Sequence, residues 1–123
     1  MGAGVIAPAL SVVVPSVNGF ADLERALEAL ERERQHIALE VLVPDRLGPA
    51  LREQVARRFP WAVVLPAAPD TTIPELRALA FRAASGSAVA VIEDHVLVAP
   101  GWSAAMLAAL ADGADAVGGA VEN

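Results

Sequence analysis

Two carboxylates and an imidazole stand side by side at Glu93, Asp94 and His95, directly after the apolar run at residues 88–92. Because alternate residues of an extended segment point in the same direction, Glu93 and His95 can face one ligand. Carboxylate and imidazole groups suit a divalent cation such as Mn²⁺ or Mg²⁺, with phosphate oxygens in the remaining coordination positions. The alternative is a solvated strand end at which His95 bonds to a backbone carbonyl. The pattern points first to a site for a metal ion and a phosphorylated ligand.

Polar residues also follow two earlier apolar runs, at the ends where ligands bind in an open parallel sheet. Ser16 and Asn18 follow the first run, at the start of a helix whose N-terminus would favour an anion. Asp45 and Arg46 follow the second run. Taken singly, Ser16 and Asn18 are also typical of helix caps, and Asp45 is also typical of a turn. Together with the acidic segment, these residues predict one rim built from three loops.

Arg77 is a further candidate, in a helix predicted to begin at Pro74. Its neighbours Leu76, Leu79 and Ala80 are apolar, and a guanidinium group beside such a face can hold a pyrophosphate with two hydrogen bonds. The alternative is a surface arginine whose aliphatic stem covers apolar neighbours while its charge stays in water. The sequence leaves these two interpretations of Arg77 open.

The composition excludes several kinds of function. The 123 residues suffice for one domain, and 55% of them are hydrophobic, which rules out intrinsic disorder. All nine basic residues are Arg, so a P-loop and a Schiff-base lysine are excluded, and the lack of Cys excludes a thiol nucleophile. A net charge of −6 argues against nucleic-acid binding. The first 20 residues do not have the pattern of a signal peptide or membrane span, so we expect a cytoplasmic protein, with membrane-peripheral attachment as the alternative.

Alternating strand and helix patterns predict an α/β sandwich with a mostly parallel sheet and helices on both faces. Strands are predicted at residues 10–14, 39–43, 61–65 and 88–92, with a fifth beginning at 114–118, and helices at 20–30, 49–58, 74–84 and 102–110. The charged residues of the first helix segment, Glu33 among them, are expected on its solvated side. Because the chain ends soon after the fifth strand, we expect a domain truncated at its C-terminus. An exposed apolar edge at residues 117–121 would then favour self-association, for example as a homo-dimer.

Three segments of the chain together resemble the family 2 glycosyltransferases of the GT-A fold. The opening strand, turn and helix of that family resemble LSVVVPSVNGFADLERALEAL at residues 10–30, and its second strand resembles LEVLVPD at residues 39–45. Its Arg-containing helix, next strand, D-x-D-type motif and P-G-W turn resemble IPELRALAFRAASGSAVAVIEDHVLVAPGWSAAMLAAL at residues 73–110. The resemblance implies a single Rossmann-like, three-layer GT-A domain over residues 1–123. It also implies a nucleotide-diphosphate sugar donor carrying UDP, GDP or dTDP.

The resemblance assigns roles to residues by position. The residues expected at the nucleotide sugar are Pro15, Ser16, Asn18, Asp45, Arg77, Glu93 and Asp94. Among them, Asp45 would meet the base and Arg77 the base or the diphosphate, while Glu93 and Asp94 would approach the ribose and the metal-bound diphosphate. The resemblance gives the metal ion, Mn²⁺ or Mg²⁺, to Asp94 and His95, since some GT-A enzymes use a D-x-H motif.

The chain departs from the family's pattern at several points. Arg46 stands where the family usually has a second acid, and Ala78 stands where an Asn commonly follows the helix Arg. The family's second half, which supplies acceptor contacts and the general base of inverting transfer, is missing from these residues, so the acceptor and the catalytic base are unknown. A degenerate, non-catalytic GT-A-like binding module is therefore the alternative function. A nucleotidyltransferase fits poorly, because residues 15–19 lack the Arg and Lys of that class's Gly-rich loop.

Overall fold

Four short strands form one parallel sheet at the centre of the protein, of which this computed structural model describes residues 7–113. The strands are β1 (Leu10–Val13), β2 (Leu39–Asp45), β3 (Val63–Pro66) and β4 (Ala88–Val91), in the order β3-β2-β1-β4. The pairings are parallel, with Val12 opposite Val41 on one side and Ala90 on the other. Strand β1 is buried along its whole length because it has a neighbour on each side. The parallel α/β sheet predicted from the sequence is confirmed.

Four helices connect and cover the strands. They are α1 (Phe20–Glu33), α2 (Pro49–Arg58), α3 (Ile73–Ala83) and α4 (Trp102–Ala111). Leu23, Leu27 and Leu30 of α1 are fully buried, so their spacing of three and four predicts correctly which side of the helix meets the sheet. The third strand begins two residues later than predicted. Trp61 does not extend this strand, because it packs edge-on against Phe59 with 5.6 Å between ring centroids.

The sheet separates two apolar layers, because neighbouring residues of a strand point to opposite faces. Val12 and Val41 belong to the larger core, on the face covered by α1 and α2. Val13 and Leu42 point to the other face and pack with Ala80 of α3. The protein is therefore a three-layer sandwich with the sheet in the middle.

Glu33, at the end of α1, is buried, which corrects the prediction that it lies on the solvated side. Its Oε1 accepts hydrogen bonds from the backbone N–H (2.8 Å) and the hydroxyl (2.7 Å) of Ser103, and its Oε2 accepts one from the N–H of Gly101 (3.1 Å). Burial alone would raise the pKa of Glu33, but the hydrogen bonds from Ser103 and Gly101 outweigh burial and lower it. Glu33 thus caps the start of α4, whose own N-cap residue, Gly101, has no side chain to do so.

Replacing this carboxylate with an amide, Glu33→Gln, is expected to lower the free energy of unfolding at pH 7 by about 1–3 kcal/mol, as for hydrogen bonds to a charged group. A carboxyl group with a lowered folded pKa stabilises the protein above its unfolded pKa, and this contribution is lost as pH falls through the folded pKa. Urea unfolding should therefore show the two proteins converging in stability below the ordinary pKa of 4.5. Glu53→Gln, on the exposed side of α2, is the control. Equal losses in both variants would contradict a specific role for Glu33.

The turn before β4 lies directly against β1 at Gly86. Its N–H donates to the Oγ of Ser11 (2.8 Å), which in turn donates to the Oε1 of Glu40 (2.8 Å). A methyl group on Gly86 would lie 2.7 Å from both the N and the Oγ of Ser11. Gly86→Ala is therefore expected to lower the free energy of unfolding by about 1–3 kcal/mol in urea denaturation, as for other overpacked positions. Ser87→Ala is the neighbouring control, and unchanged stability of Gly86→Ala would contradict this close approach.

Two further expectations concern residues beyond the described range. The predicted fifth strand at residues 114–118 and the predicted apolar edge at residues 117–121 both lie after residue 113, so they stay predictions. Among the described residues, no helix has both the length and the apolar character needed to cross a membrane.

Candidate functional site

A cavity of about 270 Å³ opens at the carboxyl ends of β1, β2 and β4. Parallel strands present their following loops at the same edge of the sheet, so residues distant in the sequence meet there. The lining residues are Pro15, Val17 and Asn18 after β1, Arg46 after β2, Ile73 and Arg77 from α3, and Ile92, Glu93, Asp94 and His95 after β4. The structure brings all of the predicted site residues to this cavity except Ser16 and Asp45.

Asp94 joins the loop after β4 to the turn after β1. Its Oδ2 accepts hydrogen bonds from the backbone N–H groups of Val17 (2.9 Å) and Asn18 (2.8 Å), and its Oδ1 accepts one from the Nδ2 of Asn18 (2.6 Å). The residue is only 1% exposed. Because hydrogen bonds to an ionised carboxylate are stronger than those between neutral groups, Asp94 fixes the shape of the turn that carries Asn18. Its predicted contact with a metal ion stays a prediction.

Glu93 and His95 flank Asp94 and are open to solvent, with side chains 62% and 53% exposed. The Oε2 of Glu93 lies 2.9 Å from the Nε2 of His95, and the Nδ1 of His95 lies 3.6 Å from the Oδ1 of Asp94. A carboxylate and an imidazole that converge in this way fit a divalent cation that takes its other ligands from phosphate and water. Within residues 7–113, no group of three or more acidic or imidazole side chains forms a complete metal cluster. The predicted metal contact of His95 stays a prediction.

Asp45, at the end of β2, is fully buried and faces the start of α2. Its Oδ1 accepts a hydrogen bond from the N–H of Leu47 (3.0 Å), and its Oδ2 accepts from the N–H of Gly48 (3.1 Å) and the Nη1 of Arg52 (3.2 Å). These contacts are those of an Asp that closes a turn on its own backbone, so the turn interpretation of Asp45 fits them. Its predicted contact with a nucleotide base stays a prediction.

Ser16 is also fully buried, because it continues β1 beside the end of β2. Its N–H donates to the carbonyl of Pro44 (2.9 Å), and its hydroxyl has no hydrogen-bond partner within residues 7–113. Ser16 does not cap α1, whose N-cap residue is Gly19. It therefore lies under the turn that forms the cavity wall, and its predicted contact with a donor stays a prediction.

Arg77 reaches the cavity from α3, whose start is fixed by a capping box. The Oγ1 of Thr72 accepts from the N–H of Glu75 (3.3 Å), and the Oε1 of Glu75 accepts from the N–H of Thr72 (2.9 Å). The Nε of Arg77 is buried and has no hydrogen-bond partner within the described residues. A buried donor without an acceptor costs free energy, so this guanidinium group is well placed to donate to a bound ligand.

Arg46 also lines the cavity, as its predicted place on the rim after the second strand requires, although the family resemblance gave it no binding role. Its Nη1 donates to the carbonyl of Thr71 (2.9 Å), which fixes one end of the guanidinium group. Its position directly after β2 is the sequence feature that indicates a place at the site. No sequence feature indicated that the apolar residues Val17 and Ile73 also line the cavity. The cavity thus combines two guanidinium groups with acidic and imidazole groups, an arrangement suited to an anion that carries a bound cation.

Comparisons with known proteins agree with this architecture. The family model described as glycosyl transferase family 2 matches residues 11–123. The structure of S. aureus TarS 1-349 matches with a TM-score of 0.68 and 20% identity, over 84% of this chain and 32% of that one. The mannosyltransferase PcManGT from Pyrobaculum calidifontis, in complex with GDP-Man and Mn²⁺, matches with a TM-score of 0.56 and 22% identity, over 75% of this chain and 29% of that one. No functionally curated protein matches the chain.

The two structural matches show the fold, and the GT-A fold expected from the sequence is confirmed. The chain spans about a third of the length of each of these two structures.

Proposed function

The chain belongs to glycosyl transferase family 2, and from this premise we propose that it supplies the donor-binding part of an inverting glycosyltransferase. The donor is a nucleotide-diphosphate sugar that carries UDP, GDP or dTDP, and the acceptor is unknown. The observation that carries this proposal is the cavity at the sheet edge, where two arginines meet a carboxylate and an imidazole. A diphosphate with a bound cation has the mixed charge that such a site can hold.

Different residues of the cavity contact different parts of the nucleotide-sugar donor. Pro15 and Asn18 contact the nucleoside from the turn after β1. Arg77 donates hydrogen bonds to the diphosphate, because its Nε has no protein acceptor within the described residues. Glu93 and Asp94 lie where the ribose meets the metal-bound diphosphate, and Asp94 also holds Asn18 in place.

Asp94 and His95 would hold Mn²⁺ or Mg²⁺, as the resemblance assigns, and Glu93 lies beside His95 on the solvent-exposed side of the same site. When bound, the ion supplies positive charge that stabilises the departing diphosphate. In inverting transfer, the acceptor hydroxyl attacks the anomeric carbon, the bond from that carbon to the diphosphate oxygen breaks, and a general base takes the hydroxyl proton. We assign no side chain within residues 7–113 to that base.

The complex of PcManGT with GDP-Man and Mn²⁺ supports this class of donor and this kind of metal ion. Because the chain spans about a third of that structure, sugar transfer by the whole protein is part of the proposal.

Calorimetric titration with UDP, GDP and dTDP, with and without Mn²⁺, tests the donor site directly. We expect at least one of these nucleotides to bind, with an affinity about tenfold or more higher in Mn²⁺ than in EDTA, because the ion offsets charge on the phosphates. Circular dichroism on the same sample shows that the protein is folded. No metal-dependent binding by a folded protein that also contains the C-terminal half typical of the family would contradict the proposal.

A second candidate function is a non-catalytic GT-A-like module that binds a partner. Two departures from the family's pattern favour it, Arg46 in place of an acid and Ala78 in place of an Asn. Substituting Glu93 and His95 together separates the two functions. If partner binding survives this change and no sugar transfer is found in a longer form of the protein, the module is the better description.

A further inference from the structure

Arg46 and its neighbour Asp45 lie at the end of β2, and only Arg46 lines the cavity. We infer that Arg46, and not Asp45, meets the base of the bound nucleotide, and that the site favours a base with two adjacent hydrogen-bond acceptors. Guanine and cytosine have such an edge, whereas uracil and thymine do not. The inference rests on the proposed function, because it takes the ligand to be a nucleoside diphosphate.

The carboxylate of Asp45 is closed off from a ligand. It is fully buried, and three donors already share its oxygens, from Leu47, Gly48 and Arg52. The imide N–H of uracil or thymine needs an acceptor of this kind, and in this structure that acceptor is used to build the turn before α2. The end of β2 therefore presents hydrogen-bond donors to the cavity instead of an acceptor.

The guanidinium group of Arg46 supplies those donors. An arginine side chain has five N–H donors in a planar fork. Within the described residues, one of these five donors is used, in the hydrogen bond from Nη1 to the carbonyl of Thr71 at 2.9 Å. This contact fixes the side chain while leaving other donors for a ligand, so the fork is positioned before a ligand arrives.

The sheet order places the base near Arg46. Strand β1 lies between β2 and β4, and neighbouring strands are about 4.8 Å apart, so the ends of β2 and β4 are about 10 Å apart. This separation is comparable to the length of a nucleoside. A diphosphate held near Glu93 and His95 after β4 therefore directs its nucleoside across β1 toward Arg46. Apolar Val17 and Ile73 line the same cavity and can contact the flat faces of a base.

The shape of the arginine fork determines which bases fit it. Two parallel N–H donors match two neighbouring acceptors, such as O6 and N7 of guanine or O2 and N3 of cytosine. In uracil and thymine, the two carbonyl oxygens are separated by the N3–H donor, so the fork can make one good hydrogen bond and then faces a like donor. A bidentate contact of this kind discriminates between bases by about tenfold.

Calorimetric titration with GDP, CDP, UDP and dTDP in the presence of Mn²⁺ tests the inference. In the unsubstituted protein, GDP or CDP is expected to bind about tenfold more tightly than UDP and dTDP. Arg46→Ala should remove this preference, weakening the preferred nucleotide about tenfold while changing UDP affinity less than about threefold. Arg46→Lys keeps the charge but not the fork, so the preference should stay lost. Arg57→Ala, an exposed arginine on α2, is the control and should bind all four nucleotides normally.

Three outcomes would overturn the inference. Tightest binding of UDP or dTDP by the unsubstituted protein would show that a fork of donors does not select the base. Equal weakening of all four nucleotides in Arg46→Ala, restored by Arg46→Lys, would place the arginine on the phosphates. Metal-dependent binding of all four with equal affinity would refute the base preference and leave the proposed donor site intact, whereas no binding of any of them would refute both.

Discussion

Asp94→Ala is expected to lower the free energy of unfolding by about 3–5 kcal/mol and to abolish measurable nucleotide binding. The substitution removes the acceptor of three hydrogen bonds and leaves the N–H groups of Val17 and Asn18 without a partner beside a buried site. A loss of this size is a large part of the total stability of a domain of this length. The turn after β1 would lose its shape, and a displacement of about 1 Å at a binding group can cost a hundredfold in function. Urea unfolding and calorimetric titration with a nucleoside diphosphate measure the two effects.

If Asp94→Ala does not fold, two milder variants distinguish an effect on stability from an effect on nucleotide binding. Asp94→Asn keeps one acceptor oxygen but turns an amide toward the donors of Asn18, so we expect an intermediate loss of stability and of affinity. Asn18→Ala removes the 2.6 Å side-chain hydrogen bond and leaves both backbone contacts in place. Asn18→Ala should therefore reduce the free energy of nucleotide binding more than it reduces the free energy of unfolding. Normal stability and normal binding in both variants would refute the role of Asp94 as the residue that positions this turn.

The double variant Glu93→Gln, His95→Gln is expected to lose the effect of Mn²⁺ on nucleotide affinity. Both side chains are more than half exposed, so the free energy of unfolding should change by less than about 0.5 kcal/mol. His95 would hold the ion, with Glu93 2.9 Å away, so without these side chains the affinity measured in Mn²⁺ should fall about tenfold or more. The same calorimetric titration in EDTA should give equal affinities for the variant and the unsubstituted protein.

Glu28→Gln is the control for this pair, since Glu28 lies on α1 and, among residues 7–113, is engaged only with Arg58 on the surface at 3.4 Å. It should keep the full dependence on Mn²⁺. Retention of that dependence in the double variant would show that His95 is not a metal-holding side chain.

The architecture was largely accessible from the sequence, because each strand is a short apolar run and each run is bounded by turn-forming residues. The buried strand β1 and the spacing of Leu23, Leu27 and Leu30 illustrate how local patterns determine the layers. The start of β3 was less accessible, since the position of Trp61 depends on its contact with Phe59 and on its hydrogen bond to Glu31 (3.0 Å). Such contacts join segments that no local pattern relates.

The sequence predicted most of the residues that lie at the candidate site, but not the hydrogen bonds that these residues make. The rule that ligands bind at the carboxyl ends of parallel strands predicted that Asn18 and His95 share one rim, and both line the cavity. The burial of Glu33 could not be predicted in this way, because its partners lie about 70 residues later at the start of α4. The hydrogen bonds of Asp94 likewise join residues that are far apart in the sequence. A charged residue next to a strand or helix end is solvated or buried according to tertiary partners, which composition and spacing do not reveal.

The large sequence separation between Asp94 and its hydrogen-bond partners also affects the order in which the protein folds. Its hydrogen bonds to Val17 and Asn18 close loops of 77 and 76 residues. Contacts of such high sequence separation form late, because the entropy of closing the loop must be overcome first. A nascent chain emerging from the ribosome would therefore carry an unformed β1 turn until β4 has been synthesised and has docked beside β1. Ligand-binding ability should consequently appear abruptly during synthesis, at the point where the segment that follows β4 becomes available.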